Sequence, residues 1–265
     1  MRTLYKYVPP KRANILETQM IRLTQLGDLN DPAESQPKFR ASRVDWNKFV
    51  DDFADSFPKL ELKEGTFRDF LNWLTPARRP IVQRRLLQGV LDFGTGIFSL
   101  SSSRRVEAMW SHYSDAHRGL VIGFNASHRF FWRSGCLLMR VRYADHIDFF
   151  PYLEDLDAES LLCTKSSSWA YEREWRFIRS IAGTKKFLRG RFPKTPRGYN
   201  LWLERVPAGA FCTVTLGARA AKKLRARVVR ALSKASFRHV SLYQAILGRD
   251  GRLTFRRLDP VQRVN

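Results

Sequence analysis

The sequence lacks the features that would place it in a membrane, in a secretory route or around a structural metal. No apolar run approaches the roughly 20 residues that cross a bilayer, and the N-terminus has no apolar signal region. Its three cysteines, Cys136, Cys163 and Cys212, are far apart and show no paired metal-ligand spacing. We therefore predict a cytoplasmic protein with free thiols, no bound metal and no membrane contact.

Glycine-rich motifs are missing as well. The chain contains neither a Walker loop nor a G-x-G-x-x-G, so nothing in it predicts nucleoside triphosphate chemistry. No G-x-S-x-G surrounds its serines, which excludes the nucleophile elbow of the hydrolases. His112 and His117 are five residues apart, a poor spacing for a metal on a helix. A metal-dependent nuclease remains a third alternative.

What is present indicates a globular protein. Of the 265 residues, 44% are hydrophobic and 13% aromatic, which is enough for a sizeable core. The pattern of short apolar strands and a few helices predicts a single α+β domain over residues 1–265, rich in strands at both ends. Trp46, Phe49, Val50 and Phe53 recur at helical spacing, and they belong to a helical insertion predicted over about residues 35–92.

Positive charge is concentrated in the last third of the chain. Residues 185–265 contain 20 Lys+Arg and three acids, so they carry +17 of the formal +22. Such a surface attracts phosphate backbones, although a basic face that only keeps the protein soluble is the alternative. A basic amphipathic helix is predicted from Arg219 to Lys234. Its expected nucleic-acid contacts are Lys222, Lys223, Arg225, Arg227 and Arg230.

The most informative stretch runs from Trp169 to Arg176, where two acids lie one residue apart among aromatic and cationic residues. We predict a strand here, with Glu172 and Glu174 together on one face and Arg176 next in the row. Two carboxylates this close should raise the pKa of at least one of them, as in many acid/base sites. A charged, solvated edge strand is the alternative.

Several spaced motifs together resemble a known family. They are Leu4–Tyr7, Ile21–Thr24, Leu29–Glu34, Met109–Tyr113, His117–Gly119, Ile122–Phe124, Lys165 with Trp169–Arg176, and Val214–Gly217. Their order resembles the bacterial and phage family known as domain of unknown function twenty-nine seventy-one. The Asn30-Asp-Pro32 motif and the final E-x-E-W-R are the most specific parts of this resemblance.

A more distant resemblance is to the ADP-ribosyltransferase superfamily. It implies a mixed or antiparallel β-sheet core split around a nicotinamide cleft, with NAD as the cofactor. The family's pattern places Lys6 or Tyr7 at the first strand's position, Thr24 at the next, and Glu174 at the late glutamate, preceded by Glu172. The sequence departs from the pattern at the first position, where the family has His or Arg.

The resemblance also implies roles. Glu174 would offset the positive charge that develops on the ribose, and Glu172 would orient or deprotonate the acceptor. Arg176 would keep Glu174 ionised or grip a phosphate, and Trp110 would help to wall the cleft. The expected cofactor-binding set is Tyr5, Lys6, Tyr7, Arg22, Asn30, Asp31, Trp110, Tyr113 and Arg176.

The resulting expectation is an ADP-ribosyltransferase-like toxin or phage-defence effector that acts on a polyanionic target, possibly nucleic acid. A non-catalytic nucleic-acid-binding protein of the same fold is the alternative.

Overall fold

The computed structural model describes residues 2–31, 45–56, 73–145, 162–181, 188–189, 195, 198–199 and 201–258. Strands in these residues are β1 (Thr3–Val8), β2 (Met20–Leu23), β3 (Thr95–Ser101), β4 (Leu120–Asn125), β5 (Cys136–Arg140), β6 (Arg142–Ala144), β7 (Thr164–Ser166), β8 (Glu174–Ser180), β9 (Leu188–Arg189), β10 (Trp202–Arg205), β11 (Phe211–Leu216), β12 (Ser241–Leu247) and β13 (Leu253–Leu258). The α-helices are α1 (Asn14–Thr18), α2 (Trp46–Ser56), α3 (Arg79–Gly94), α4 (Glu107–Tyr113) and α5 (Lys222–Leu232).

The largest sheet has eight strands in the order β13-β12-β11-β4-β1-β3-β8-β5. Its neighbours are antiparallel except for β11 and β12, which are parallel and joined through helix α5. A three-stranded sheet, β2-β10-β9, and a parallel pair, β6-β7, complete the β-structure of the described residues. The prediction of an α+β fold with a mixed sheet is confirmed.

Alternation along the strands places a core on each side of this sheet. Leu4 and Val8 of β1 belong to the larger core, which also buries Leu224 and Val228 of α5. Tyr7 belongs to a second core under α4, where its ring meets that of Trp110 edge-on at 5.4 Å between centroids. Successive side chains of a strand point to opposite faces, so β1 contributes to both cores.

The sheet is nearly divided between β1 and β3. Strands β1 and β4 pair along six residues, and β3 and β8 pair along seven. Between the described strands β1 and β3, by contrast, the single pair is Tyr5 with Ser101. The two strands diverge from that point, and Lys6 Nζ crosses the gap to donate a hydrogen bond to the Ser99 carbonyl oxygen at 2.8 Å.

The helical insertion is described in part. Helices α2 and α3 fall within the predicted limits of about 35–92, while residues 32–44 and 57–72 lie outside the described residues. Helix α3 is tied to the N-terminal segment by Asp92, which accepts hydrogen bonds from the Gly27 amide at 2.6 Å and from the Tyr199 hydroxyl at 2.8 Å. The single-domain interpretation stays a prediction.

Candidate functional site

A cavity of about 190 Å³ lies where β1 and β3 separate. Its lining residues come from β1, the end of β2, the loop after it, β3, α4, β7 and the start of β8. They are Tyr5, Lys6, Tyr7, Arg22, Thr24, Asp28, Leu29, Asn30, Ser99, Leu100, Met109, Tyr113, Lys165, Glu172 and Glu174. Segments that are far apart in the sequence therefore meet at the divided part of the sheet.

The two glutamates reach the cavity from different elements, which corrects the prediction that they share one strand. Glu172 ends a 3₁₀-helix, Ser167–Glu172, and β8 begins at Glu174. Arg173 between them has a left-handed backbone with φ of 48°. The turn at Arg173 interrupts the predicted strand, yet both carboxylates face the same cavity, as expected.

Lys165 joins the two carboxylates. Its ammonium donates to Glu172 Oε2 at 2.8 Å and to Glu174 Oε2 at 3.3 Å. The three side chains are at most 5% exposed. Buried charges are tolerated when they are paired and hydrogen-bonded, and this cluster meets that condition.

Glu174 is held as a carboxylate. Burial by itself would raise its pKa, but the charges of Arg176 and Lys165 and hydrogen bonds from Arg176 and Ser99 outweigh burial and lower the pKa to about 2. Arg176 Nε donates to Glu174 Oε1 at 2.9 Å. Glu174 is therefore not an acid with the raised pKa that was expected for at least one of the pair, because two cations face it at the same time, and Arg176 helps to keep it ionised as expected.

Glu172 is also hydrogen-bonded to a residue of helix α4, Tyr113. The Tyr113 hydroxyl donates to Glu172 Oε1 at 2.5 Å and accepts a hydrogen bond from Asn30 Nδ2 at 2.7 Å. Burial and the neighbouring carboxylate of Glu172 raise the pKa of Tyr113, so its hydroxyl remains a donor. This chain of hydrogen bonds connects α4 to the loop after β2.

Lys6 faces the same cavity without a carboxylate partner among the described residues. Its amine donates to Ser99 O and lies 5.0 Å from the centroid of the Phe98 ring. Its pKa is lowered to about 8, chiefly by burial and also by the charges of Arg12 and Arg22, while Glu174 and Glu172 act in the opposite direction. Arg22 itself is paired with Asp28 at the cavity wall.

A known protein family matches a segment of the chain that contributes several residues to this cavity. Residues 109–177 match the family described as protein of unknown function (DUF2971). The match covers about a quarter of the chain, so the similarity to this family is a property of that segment. No curated protein and no solved structure matches the chain. The DUF2971 segment supplies Met109, Tyr113, Lys165, Glu172 and Glu174 to the cavity, while the β1, β2 and β3 walls lie outside it.

Most of the residues that sequence reasoning selected for the site lie together. Nine of them line the cavity: Tyr5, Lys6, Tyr7, Arg22, Thr24, Asn30, Tyr113, Glu172 and Glu174. Three do not. Asp31 is buried beside the loop, and Trp110 is fully buried in the core against Tyr7 rather than in the wall of the cleft. Arg176 is 1% exposed and turned to Glu174 and the Leu162 carbonyl, so it is not placed to grip a phosphate.

Sequence reasoning assigned no role to several lining residues. They are Asp28, Leu29, Ser99, Leu100, Met109 and Lys165. Lys165 belongs to the motifs that carry the family resemblance, but a single lysine gives no local sign that it will be buried between two acids. Ser99 is one hydroxyl in a serine-rich strand, and only the register of the sheet, which pairs it with Arg176 of β8, reveals that it can hydrogen-bond the Glu174 carboxylate.

The predicted basic helix is confirmed as α5, with Leu224, Val228 and Leu232 buried on its inner face. Lys222, Lys223 and Arg230 are exposed on the outer side. Arg227 is instead engaged by Glu17 of α1, with Nε–Oε1 at 2.7 Å and Nη2–Oε2 at 2.6 Å, and Arg225 is half-buried. Three of the five expected contacts are thus fully accessible to a partner.

Within the part of the chain that the structure describes, no group of three or more His, Cys, Asp or Glu side chains is arranged to bind a metal ion. In the same part, none of the helices combines the length and apolar character needed to span a bilayer.

Proposed function

We propose that this protein is an ADP-ribosyltransferase-like enzyme that binds NAD in the divided part of its sheet. It would transfer ADP-ribose to a polyanionic target, most simply a nucleic acid. The observation that carries the proposal is the cavity between β1 and β3, which is lined by Tyr5 and Tyr7 of β1 and by two ion-paired glutamates.

The arrangement of the sheet supports the ADP-ribosyltransferase-like type of fold. That type has a split sheet, with the first strand and a late glutamate on either side of a cleft. Here β1 belongs to one part of the sheet and the glutamate strand β8 to the other, joined through β3. Thr24, which the sequence pattern assigns to the hydroxyl position, lines the cavity, and Ser99 of β3, which hydrogen-bonds Glu174, is a second candidate for that position.

The size of the cavity limits how much of the cofactor it encloses. A pocket that buries a drug-sized ligand usually measures about 300–1,000 Å³, and this one measures about 190 Å³. We therefore place the nicotinamide ring and its ribose inside, with Tyr5 or Tyr7 against the ring. The diphosphate and adenosine would extend past Arg22 toward solvent.

The charges suit cleavage of the nicotinamide–ribose bond. As this bond breaks, nicotinamide leaves with the bonding electron pair and positive charge develops on the ribose. Glu174 is ionised at any physiological pH, since its pKa is about 2, and it offers a fixed negative charge rather than a proton acceptor. Glu172 would orient the acceptor hydroxyl or amine that attacks the ribose.

A second candidate function is nucleic-acid binding without catalysis. It is favoured by the exposed cations Lys222, Lys223 and Arg230 on one side of α5, in a segment with a large excess of positive charge. Phosphate contacts of this kind bind nucleic acid with little regard to sequence. The same surface would serve the enzyme as its docking site for a nucleic-acid acceptor.

The enzyme is tested by incubating the protein with NAD labelled in its adenylate part, together with RNA, DNA and protein acceptors. We expect label in one acceptor fraction and an equal amount of released nicotinamide. Glu174→Gln should abolish both, whereas Glu107→Gln, an exposed glutamate outside the cavity on α4, should change neither. Circular dichroism confirms that each variant is folded. Absence of nicotinamide release and of saturable NAD binding with the folded wild type would refute the proposal.

A further inference from the structure

Two lysines line the cavity, and their amines are in different surroundings. Lys165 Nζ is engaged by two carboxylates, at 2.8 and 3.3 Å. Lys6 Nζ donates to one backbone carbonyl, Ser99 O, and lies over the Phe98 ring. Lys6 forms no ion pair within 4 Å in the described ranges of the chain. The Lys165 amine is therefore held protonated by two carboxylates in contact with it, whereas no carboxylate of the described residues contacts the Lys6 amine.

The charges around Lys6 come from both sides of the gap. Glu172 and Glu174 face it from the 3₁₀-helix and β8, and Arg12 and Arg22 act on it from the N-terminal segment. Lys165 lines the same cavity between the two acids. Glu172 and Glu174 are already paired with Lys165 and Arg176, and Asp28, which also lines the cavity, is paired with Arg22, so each acid described at the cavity has a cation other than Lys6. That setting favours a neutral amine with a free lone pair.

We infer that Lys6 is a nucleophilic lysine and that the cavity accepts an aldehyde carrying an anionic group, which condenses with the Lys6 amine. The apolar and aromatic lining, including Tyr5 and Tyr7, would receive the carbonyl part of the ligand. Arg22, which lines the cavity, and Arg12 nearby would attract its anionic part. A desolvated lysine beside other cations is a usual way to activate an amine for this chemistry.

The condensation is balanced without any further reagent. The nitrogen lone pair attacks the carbonyl carbon, and the carbonyl oxygen leaves as water with the two hydrogens of the neutral amine. The product is an imine between the ligand carbon and Lys6 Nζ. Neither oxidation nor reduction takes place.

This inference goes beyond the proposed function and also deepens it. Free ADP-ribose, which would form if water took the place of the acceptor in the proposed reaction, has an open-chain aldehyde form and a diphosphate and so belongs to this ligand class. Imine formation does not require glycosidic cleavage, however. A protein that never cleaves NAD would still react at Lys6, and a transferase whose Lys6 is unreactive would still release nicotinamide.

The population of neutral amine sets the expected size of the effect. With a pKa of about 8, close to a tenth of Lys6 is neutral at pH 7. An ordinary exposed lysine, with a pKa of about 10.4, is neutral to about 0.04% at that pH, a difference of about 200-fold. Since a more basic amine is intrinsically more nucleophilic, we expect a preference on the order of tenfold or more in rate.

The test uses pyridoxal 5′-phosphate as the probe on the folded wild-type protein at pH 7. Borohydride reduces the imine to a stable amine, and tandem mass spectrometry then measures the extent of modification at each lysine. Lys11 is the internal control, because it is exposed and lies in the same segment. We expect Lys6 to be modified at least tenfold faster than Lys11 and Lys165, with a rate that rises through a midpoint near pH 8.

Equal or slower modification of Lys6 would overturn the inference, and so would preferential modification of Lys165. The anionic part is tested with pyridoxal, which lacks the phosphate: we expect at least tenfold slower reaction, and an unchanged rate would overturn that part. Lys6→Arg keeps the charge and removes the nucleophile, so it should eliminate the adduct. The NAD experiment above is read separately, because it measures nicotinamide release.

Discussion

The Lys165 ammonium donates to Glu172 Oε2 at 2.8 Å, and both side chains are buried. This pair connects β7 to the end of the 3₁₀-helix, and the same ammonium reaches Glu174 at the start of β8. The positive charge of Lys165 therefore stabilises two buried carboxylates that lie close together beside the cavity.

Removing this lysine should be costly. Lys165→Met keeps most of the side-chain volume but leaves the Glu172 charge without its cation. The loss of one partner of a buried ion pair costs about 3–5 kcal/mol of unfolding free energy. Urea unfolding followed by circular dichroism at pH 7 measures it. The double variant Lys165→Met/Glu172→Gln should recover part of the loss; a cost below about 1 kcal/mol for the single variant would contradict the pairing.

The stability of the protein should depend on Glu174 in acid. Its folded pKa of about 2 lies below the ordinary value of 4.5, so its contribution is complete above pH 4.5 and disappears as the pH falls toward 2. The shift corresponds to about 3 kcal/mol. The unfolding free energies of wild type and Glu174→Gln should therefore approach each other by about that amount between pH 6 and pH 2. Glu107→Gln, exposed on α4, is the control; a constant difference for Glu174→Gln would show that its carboxylate is not held in this way.

Gly217 is predicted to be irreplaceable. A Cβ at this position would lie 2.1 Å from the His117 carbonyl oxygen, in a turn where Asp115, Ala116 and His117 all have positive φ. Because backbone must move to relieve the clash, Gly217→Ala should cost about 1–3 kcal/mol or more. Gly209→Ala is the matched control, since its Cβ would meet only the His128 ring at 3.5 Å. Thermal unfolding compares the two; equal melting temperatures would argue against the close approach.

The outer face of α5 should control the salt dependence of nucleic-acid binding. Charge reversal at Lys222, Lys223 and Arg230 should weaken binding of a single-stranded oligonucleotide and reduce the log–log salt slope by about 2, at about 0.7 for each lost phosphate contact. Fluorescence anisotropy over a salt series measures both quantities. The control reverses three exposed arginines of the terminal hairpin, Arg249, Arg252 and Arg256. An equal effect in the control would mean that net charge, and not this helix, drives binding.

Local signals account for the parts of the fold that were predicted well. Ser241–Leu247 and Leu253–Leu258 alternate and are separated by a glycine-containing turn, and they form the hairpin β12–β13. The apolar spacing of Leu224, Val228 and Leu232 likewise identifies the inner face of α5. In these segments the residues that decide the structure are neighbours in the sequence.

The predictions fail where distant residues decide the conformation. Nothing in the local sequence favours a left-handed backbone at Arg173. The sequence therefore could not predict that Glu172 ends a 3₁₀-helix while Glu174 begins a strand. The burial of Glu172 depends on Lys165 and on Tyr113, 59 residues away. The resemblance to known families predicted most of the residues that line the cavity. The roles of Ser99 and Lys165 became visible only from the order of the strands in the sheets.

Strands β1 and β2 each pair with a strand that lies much later in the chain, and this affects how the protein folds during synthesis. β1 pairs with residues 120–125, and β2 pairs with residues 202–205, so the first strands have partners that the ribosome makes much later. Such non-local topologies fold slowly, typically in milliseconds to seconds, because long loops must close first. The part of the cavity that β1 and β2 form therefore cannot be completed until most of the chain has been synthesised. A nascent chain that ends before residue 202 would carry β2 as an unpaired strand, available to chaperones and prone to wrong pairing.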